Sequence, residues 1–291
     1  MNKSILVTGG TGSFGKAFTK LLLEKSDYDR IVIYSRDEHK QERMAEEFKS
    51  DRLRFFIGDI RDKERLRLAL QDCIHIVHAA ALKVVPAGEY DPIEFIKTNI
   101  IGAQNLVEVM LDSYRQYGRV IALSTDKAVN PVNLYGATKL CMEKLFIASN
   151  NLAGARDIKF SICRYGNVAN STGSVIQKFK EQCKNKEPLT ITDAKMTRFW
   201  ITLEEAAEFV YNIISHKIEK GKVYIPNMPS FNIMDLASAF QSGDLHYKTI
   251  GVRPGEKIHE QIDENRFSNG NERFLSWQEL RKKLEDLNVI N

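Results

Sequence analysis

The chain has 291 residues, 43% hydrophobic and 27% charged, with a formal net charge of +4 at pH 7. That length suits one large domain, or a main domain with a smaller partner, around a substantial core, and the composition is that of an ordinary globular protein. The positive charge is mild and evenly spread, with no basic stripe interleaved with aromatics, which argues against a nucleic-acid partner.

Short apolar runs alternate with helical patterns as far as residue 165. Strands are expected at 4–7, 30–34, 53–57, 74–78, 120–123 and 160–163. These runs are rich in Ile, Val and Phe and nearly continuous, as parallel strands covered on both faces should be. Helices are expected at 16–24, at 38–48, at 63–70 behind an Asp62 cap, from Pro92 towards Tyr114, and at 136–148. Pro92 sits where a first helical turn tolerates it. The alternation predicts an α/β fold: a Rossmann-type doubly wound parallel sheet over residues 1–165.

After Tyr165 the rhythm breaks at Gly166, Gly173, Pro188, Pro226, Pro229 and Pro254. A helix at 203–216 and a strand at 222–225 are expected to return to the sheet. Residues 166–202 and 226–291 are expected to form a smaller α+β substrate-binding lobe, with an amphipathic last helix at 277–287.

Cys73, Cys141, Cys163 and Cys183 show no CxxC spacing and read as reduced thiols of a cytosolic protein. The histidines do not cluster, so no metal site is expected, and His75 and His78, flanking one strand, read as structural. No cleavable signal is expected at the start, and no apolar stretch reaches the ~18 residues of a membrane span. A cytoplasmic location without a membrane span is expected.

The first strand runs into Thr8-Gly9-Gly10-Thr11-Gly12-Ser13-Phe14-Gly15 and then a helix. Glycines at 9, 12 and 15 allow a tight turn and close approach to a pyrophosphate held on helix N–H groups. The second strand ends Ser35-Arg36-Asp37. Arg36 suits a ribose 2′-phosphate, so NADP is favoured, although Asp37 could still serve NAD. Asp59-Ile60 could hold the adenine edge, and Ala79-Ala80-Ala81 are small enough to pass beneath a cofactor.

The fifth strand ends in Ser124, Thr125, Asp126 and Lys127, followed by Tyr135 and Lys139. A Tyr with a Lys four residues on is common by chance. Here the pair opens a helix behind a strand end, on one helix face, where such sheets bind ligands. A nearby ammonium is expected to lower the phenol's pKa and make Tyr135 a usable base.

In these residues the chain resembles the extended short-chain dehydrogenase/reductase family. The glycine pattern, Asp59-Ile60, the alanines, Asn99, Thr125 and Tyr135-x-x-x-Lys139 fall in family order over essentially the whole chain. Asp126-Lys127, then Ala-x-x-Pro-x-Asn and Tyr-Gly-Ala-Thr-Lys, is similar to the UDP-N-acetylglucosamine 4,6-dehydratases that invert C5. The segments 164–168, 190–199 and 253–257 match the same group, while Val84 stands where its members often carry His. Plain 4-epimerases usually have small or hydroxyl residues at the Asp126-Lys127 position, and retaining dehydratases carry Asp-Glu.

The resemblance implies a closed redox cycle. Tyr135 takes the 4-hydroxyl proton while NADP⁺ oxidises C4, Thr125 hydrogen-bonds that oxygen, and Lys139 holds the nicotinamide ribose. Lys127 then removes the C5 proton, and a protonated Asp126 donates to the departing 6-hydroxyl. Lys127 must be neutral to do so, and attraction to Asp126 opposes that. Implied cofactor contacts are Gly9, Thr11, Gly12, Ser13, Phe14, Gly15, Ser35, Arg36, Asp59, Ile60, Ala79, Ala81, Lys83, Asn99, Tyr135, Lys139 and Val168. Implied contacts to a UDP-sugar substrate are Lys83, Asn167, Thr172, Gly173, Ser174, Val175, Thr190, Arg198, Arg253 and Glu256. A homo-oligomer is also implied. The competing readings are a UDP-sugar epimerase, a multi-site epimerising dehydratase, and a non-catalytic NADP-binding scaffold or redox sensor. Asp126-Lys127 argues against a plain epimerase, and the intact Thr125, Tyr135 and Lys139 argue against a scaffold.

Overall fold

The computed structural model describes residues 3–112, 116–171, 173–241 and 245–290. The first half alternates strand and helix: β1 (Ser4–Thr8), α1 (Ser13–Lys25), β2 (Arg30–Ser35), α2 (Glu38–Phe48), β3 (Leu53–Ile57), α3 (Lys63–Ala69) and β4 (His75–His78). Asp37 and Asp62 start α2 and α3 by accepting from the N–H groups of Lys40 and Arg65, which satisfies first-turn donors that the helix itself cannot.

Next come α4 (Val85–Tyr90), α5 (Pro92–Phe95), a π-helical stretch at Ile96–Ile101 and α6 (Gly102–Asp112). The helix expected from Pro92 is therefore not uniform, and its expected end at Tyr114 lies outside the described residues. The wider turn re-aims side chains inward, as π-bulges do, and Thr98 and Asn99 are its buried residues. β5 (Tyr117–Thr125) ends in a 3₁₀ turn at Asp126–Ala128, followed by α7 (Leu134–Leu152) and β6 (Asp157–Tyr165).

The remainder comprises β7 (Asn167–Val168), α8 (Val175–Lys184), β8 (Leu189–Ile191), β9 (Thr197–Ile201), α9 (Leu203–Asn212), a second π stretch at Ile213–Lys217, β10 (Val223–Tyr224), β11 (Ser230–Asn232), α10 (Ile233–Phe240), β12 (Tyr247–Thr249) and α11 (Trp277–Asp286). The helix expected at 203–216 thus changes to π geometry after Asn212.

Seven strands form one parallel sheet in the order β10-β6-β5-β4-β1-β2-β3. Alternate side chains feed two cores. Ile5, Val7, Ile31, Ile33 and Ile121 share one core with Phe18 and Leu22 of α1 and Ala206 and Val210 of α9. Leu6, Val32, Ile76, Val120 and Ala122 share the other with Leu66 of α3, Leu106 of α6 and Phe146 of α7. Burial on both faces is why these strands read as continuous apolar runs. The strand order reverses between β1 and β4, which opens a crevice at the carboxyl ends of those strands.

A three-stranded sheet, β11-β9-β7, and a two-stranded one, β12-β8, lie outside the main sheet. A third core, including Phe179, Trp200, Phe231, Leu236 and Leu280, joins α8, α10 and α11 to them. No helix among the described residues is long and apolar enough to cross a membrane.

Candidate active site

At the end of β1, Gly9 turns the chain with φ +65°, and a Cβ there would lie 2.8 Å from the Ala80 nitrogen. Only glycine lets the β1–α1 turn lie this close to the exit of β4. Thr8 Oγ1 fixes the same junction, accepting from Ala79 N and Ala80 N at 3.2 Å each and pairing with His78 Nδ1 at 2.8 Å. Gly12 is the N-cap of α1, with no side-chain cap and no acidic residue in the first turn. An anionic pyrophosphate complements that arrangement, so the residues fit a dinucleotide.

Beyond β2, Ser35 is buried and accepts from Gln41 Nε2 at 3.0 Å through both its carbonyl and its hydroxyl. The Arg36 side chain is 56% exposed, with Nη1 3.8 Å from Asp59 Oδ2. Asp59 Oδ2 also accepts from Arg61 Nε at 3.0 Å and Nη2 at 2.6 Å. Although burial opposes its charge, Arg61 and Arg36 hold Asp59 below the usual carboxylate value. Ile60 beside it is buried. Asn99, aimed by the π stretch, exchanges two 2.9 Å bonds with the Leu82 backbone and donates to Thr138 Oγ1 at 3.0 Å. Its amide thus ties the segment after β4, with Ala79, Ala81 and Lys83, to α7.

The chemical end is built where α7 meets the turn after β5. Asn133 caps α7 by accepting from Gly136 N at 2.8 Å. A Cβ on Gly136 would fall 2.1 Å from the Lys127 carbonyl oxygen, so glycine is what allows the helix to lie on the 3₁₀ turn. That contact brings Tyr135 within hydrogen-bond reach of Thr125. Thr125 Oγ1 donates to Asp126 Oδ1 at 2.9 Å, and Lys127 Nζ donates to the same oxygen at 3.0 Å. Asp126 is fully buried and Lys139 nearly so.

Burial pushes the Tyr135 phenol up to about 12, and Lys127, followed by Thr125, works against the rise. The expected lowering is therefore not found in the free protein, and the cation acting on the phenol is Lys127, not Lys139. Burial brings Lys139 down to about 8, against a pull upward from Glu143. Burial also raises Asp126, with Lys127 opposing and Glu260 reinforcing the rise. Burial disfavours the Lys127 ammonium too, but Asp126 and Glu260 together hold its pKa well above the usual lysine value.

Glu260 is the residue that the sequence reading missed. Its Oε1 lies 3.0 Å from Lys127 Nζ and 3.8 Å from Arg198 Nε. The segment carrying it is tied across the 3₁₀ turn: Lys257 Nζ donates to Val129 O at 2.6 Å and Asn130 Nδ2 to Gln261 Oε1 at 2.7 Å. The only sequence signal was proximity to the 253–257 match.

Arg198 is committed to this segment. It donates to the carbonyls of Thr197, Ile258 and Lys257 at 2.7, 3.0 and 2.9 Å. Arg253, in contrast, has a side chain 47% exposed, 4.0 Å from Glu256 Oε1. Thr190 bonds Gln182 at 3.0 Å. Lys83 Nζ reaches Ser171 Oγ at 3.5 Å, and burial, then Lys127, lower its pKa. Asn167 and Val168 form β7, and Gly173 and Ser174 lead into α8, which starts at Val175. Thr172 lies outside the described residues. Ser124 Oγ, Asp126 Oδ2, Asn167 Oδ1, Ser174 Oγ, Glu256 Oε2 and Glu260 Oε2 are buried without a hydrogen-bond partner among the described residues. So many unmatched polar atoms, most near one strand end, call for an explanation such as a polar ligand.

Comparison with known proteins agrees with this geometry. A family model described as "Polysaccharide biosynthesis protein" matches residues 5–275. A UDP-N-acetylglucosamine 4,6-dehydratase (inverting) of Campylobacter jejuni is 52% identical over 259 residues, covering 89% of this chain and 76% of that protein. The structure of Pen from Bacillus thuringiensis superposes with a TM-score of 0.91 at 29% identity, over 99% of each chain. DesIV, a dTDP-glucose 4,6-dehydratase of Streptomyces venezuelae solved with NAD bound, has the same fold, with a TM-score of 0.81 at 21% identity over 97% of this chain and 96% of that one. With nearly its whole length matched, the chain belongs to the polysaccharide biosynthesis protein family.

Proposed function

We propose that the protein is a UDP-N-acetylglucosamine 4,6-dehydratase that inverts C5. The product is a UDP-2-acetamido-2,6-dideoxy-4-hexulose for surface-glycan sugars. The carrying observation is the convergence of Thr125, Asp126, Lys127 and Tyr135 at the end of β5, with Asp126 Oδ1 accepting from Thr125 at 2.9 Å and Lys127 at 3.0 Å. An acid, an amine and a phenol in one dry corner can serve three proton transfers on adjacent sugar carbons. The 52% identical relative supports the same chemistry.

The Gly9–Gly15 turn and Lys139 would hold an oxidised nicotinamide dinucleotide, which would supply hydride acceptance at C4 and hydride return at C6 and would add positive charge to the site. Tyr135 accepts the 4-hydroxyl proton. Its resting value of about 12 must fall first, and added positive charge acts in that direction. Thr125 holds O4. Lys139, at about 8, is mostly charged at neutral pH and can donate to ribose hydroxyls. Asp126, whose pKa burial raises, gives its proton to the departing 6-hydroxyl. Lys127 takes the C5 proton made acidic by the 4-ketone.

In this reading residues 1–165 with 203–225 carry the cofactor, and 166–202 with 226–291 carry the sugar nucleotide. Arg253 faces the diphosphate, and Asn167, Ser174 and Glu256 supply hydrogen bonds. Ser35 and Arg36 favour NADP over NAD. The enzyme works in the cytoplasm as a homo-oligomer.

The test is to incubate the protein with UDP-N-acetylglucosamine in deuterated water and follow the product by NMR. A C6 methyl with deuterium at C5 in the L-configuration is expected. Unchanged substrate, or only its C4 epimer, would sink the reading.

A further inference from the structure

Lys127 has to lose a proton before it can act as a base, yet it sits between two carboxylates. Its Nζ lies 3.0 Å from Asp126 Oδ1 and 3.0 Å from Glu260 Oε1. The other charged or titratable groups around this cluster are Tyr135, Lys83, Arg198 and Lys257. His259, next in the chain, is turned to Thr197, with Nδ1 2.9 Å from Oγ1.

Glu260 is built into its place. It is 2% exposed. Its N–H donates to Ser268 Oγ at 2.9 Å, and Ser268 N donates back to its carbonyl at 2.8 Å. Ser268 Oγ and Thr197 Oγ1 lie 2.7 Å apart, so β9 fixes the backbone of Glu260 through Thr197. Its Oε2 is buried with no hydrogen-bond partner among the described residues. A buried side chain on so firmly held a backbone, with one oxygen on the Lys127 amine and the other unmatched, is more than a counter-ion on a solvated face.

We propose that Glu260 is the positioning residue for Lys127, fixing its Nζ and receiving its proton so that the neutral amine can act on C5–H. The role rests on the dehydratase reading above. The cluster starts as Asp126–COOH, Lys127–NH₃⁺ and Glu260–COO⁻. A proton moves from Nζ to Oε1, leaving Lys127–NH₂ and Glu260–COOH. The amine then takes the C5 proton, and the C5–H electron pair becomes the enolate of the 4-ketone. That pair forms the C5=C6 double bond as the 6-hydroxyl leaves as water with the Asp126 proton. Asp126–COO⁻, Lys127–NH₃⁺ and Glu260–COOH remain. Passing one proton from Glu260 to Asp126 through Nζ, which touches both, restores the starting state. Exchange between an ammonium and a carboxylate in contact needs a dry site, because water stabilises the ion pair.

Glu260→Gln keeps size and a hydrogen-bond acceptor but cannot take the proton. With UDP-N-acetylglucosamine in deuterated water at neutral pH, methyl formation and C5 deuteration are expected to fall by about 10²–10⁴-fold. Reduction of bound nicotinamide, read by absorbance, is expected to persist as the 4-keto sugar accumulates. Lys127 must then lose its proton to solvent, so C5 exchange in the variant is expected to rise about tenfold per pH unit. The wild type is expected to be nearly flat over the same range. Glu260→Asp, still an acid, is expected to restore the flat profile and most of the rate. Three results would overturn the role, and two concern Glu260→Gln: an enzyme within about threefold of wild type, or one that loses nicotinamide reduction and methyl formation equally. A dead Glu260→Asp variant that folds normally would also overturn it. A wild type that forms no methyl sugar overturns the dehydratase reading itself, and this role with it.

Discussion

Glu143 and Arg164 form a two-pronged ion pair beneath the active site, with Arg164 Nη2 2.6 Å from Glu143 Oε2 and Nε 3.0 Å from Oε1. Glu143 lies one turn past Lys139 on α7, and Arg164 also donates to the Ile262 carbonyl at 2.8 Å. The pair therefore joins the helix bearing Tyr135 and Lys139 to β6 and to the segment bearing Glu260. Both side chains are largely buried, so removing one partner strands a charge. Glu143→Ala is expected to cost about 3–5 kcal/mol in chemical denaturation, and the double variant Glu143→Leu with Arg164→Met considerably less.

Lys139 makes stability depend on pH. Its value in the folded chain is about 8, against an ordinary lysine value of 10.5. Between those pH values the unfolded chain binds more protons than the folded one, so stability rises with pH. The full span corresponds to on the order of 3 kcal/mol, withheld below pH 8 and recovered by about pH 10.5. Denaturation of the cofactor-free protein should show this rise, and Lys139→Met should be flatter over the same window. Equal slopes for both proteins would contradict the buried, depressed amine.

Much of this could be read from the sequence, for physical reasons. The six strands before residue 165 are rich in apolar residues, and Asp62 announces its helix by a local cap, so neither needs distant information. Tyr135 and Lys139 share a face because helical spacing puts them there. The π stretches at Ile96–Ile101 and Ile213–Lys217 were invisible because a slightly wider turn hardly alters apolar spacing. Arg198 was legible as a candidate cation, but no local pattern shows that carbonyls at 257 and 258 will meet its guanidinium. Glu260 was missed because its partner, Lys127, is distant in the chain, and only the tertiary fold joins them.

Cofactor choice is expected to turn on Arg36. Its guanidinium is more than half exposed and only loosely held by Asp59, at 3.8 Å, so it is available to a 2′-phosphate. Arg36→Ala is expected to weaken NADP binding by roughly tenfold or more, since a charge-assisted bond to phosphate is lost. NAD binding should change little. Calorimetric titration of both nucleotides against both proteins measures the difference. Equal weakening for the two nucleotides would mean that Arg36 supports the loop, not the phosphate.

In the proposed reading, Asp126 and Lys127 are the pair that separates water elimination from simple epimerisation. Both belong to the turn under the start of α7, yet their side chains meet Thr125 and Glu260, not the Gly9–Gly15 turn. Replacing both side chains should therefore leave the dinucleotide end intact. The double variant Asp126→Asn, Lys127→Ala is expected to bind nucleotide normally while methyl formation falls by at least about 10²–10⁴-fold, the loss typical of removing one positioned acid or base. Removing both need not double the barrier change, because the two groups act on one step and their effects do not add. The variant retains Tyr135 and Thr125 but loses the cation that lowers the phenol, so substrate-driven nicotinamide reduction should survive at a reduced rate. Loss of nucleotide binding would instead show that the Asp126–Lys127 contact holds the crevice open for both ligands.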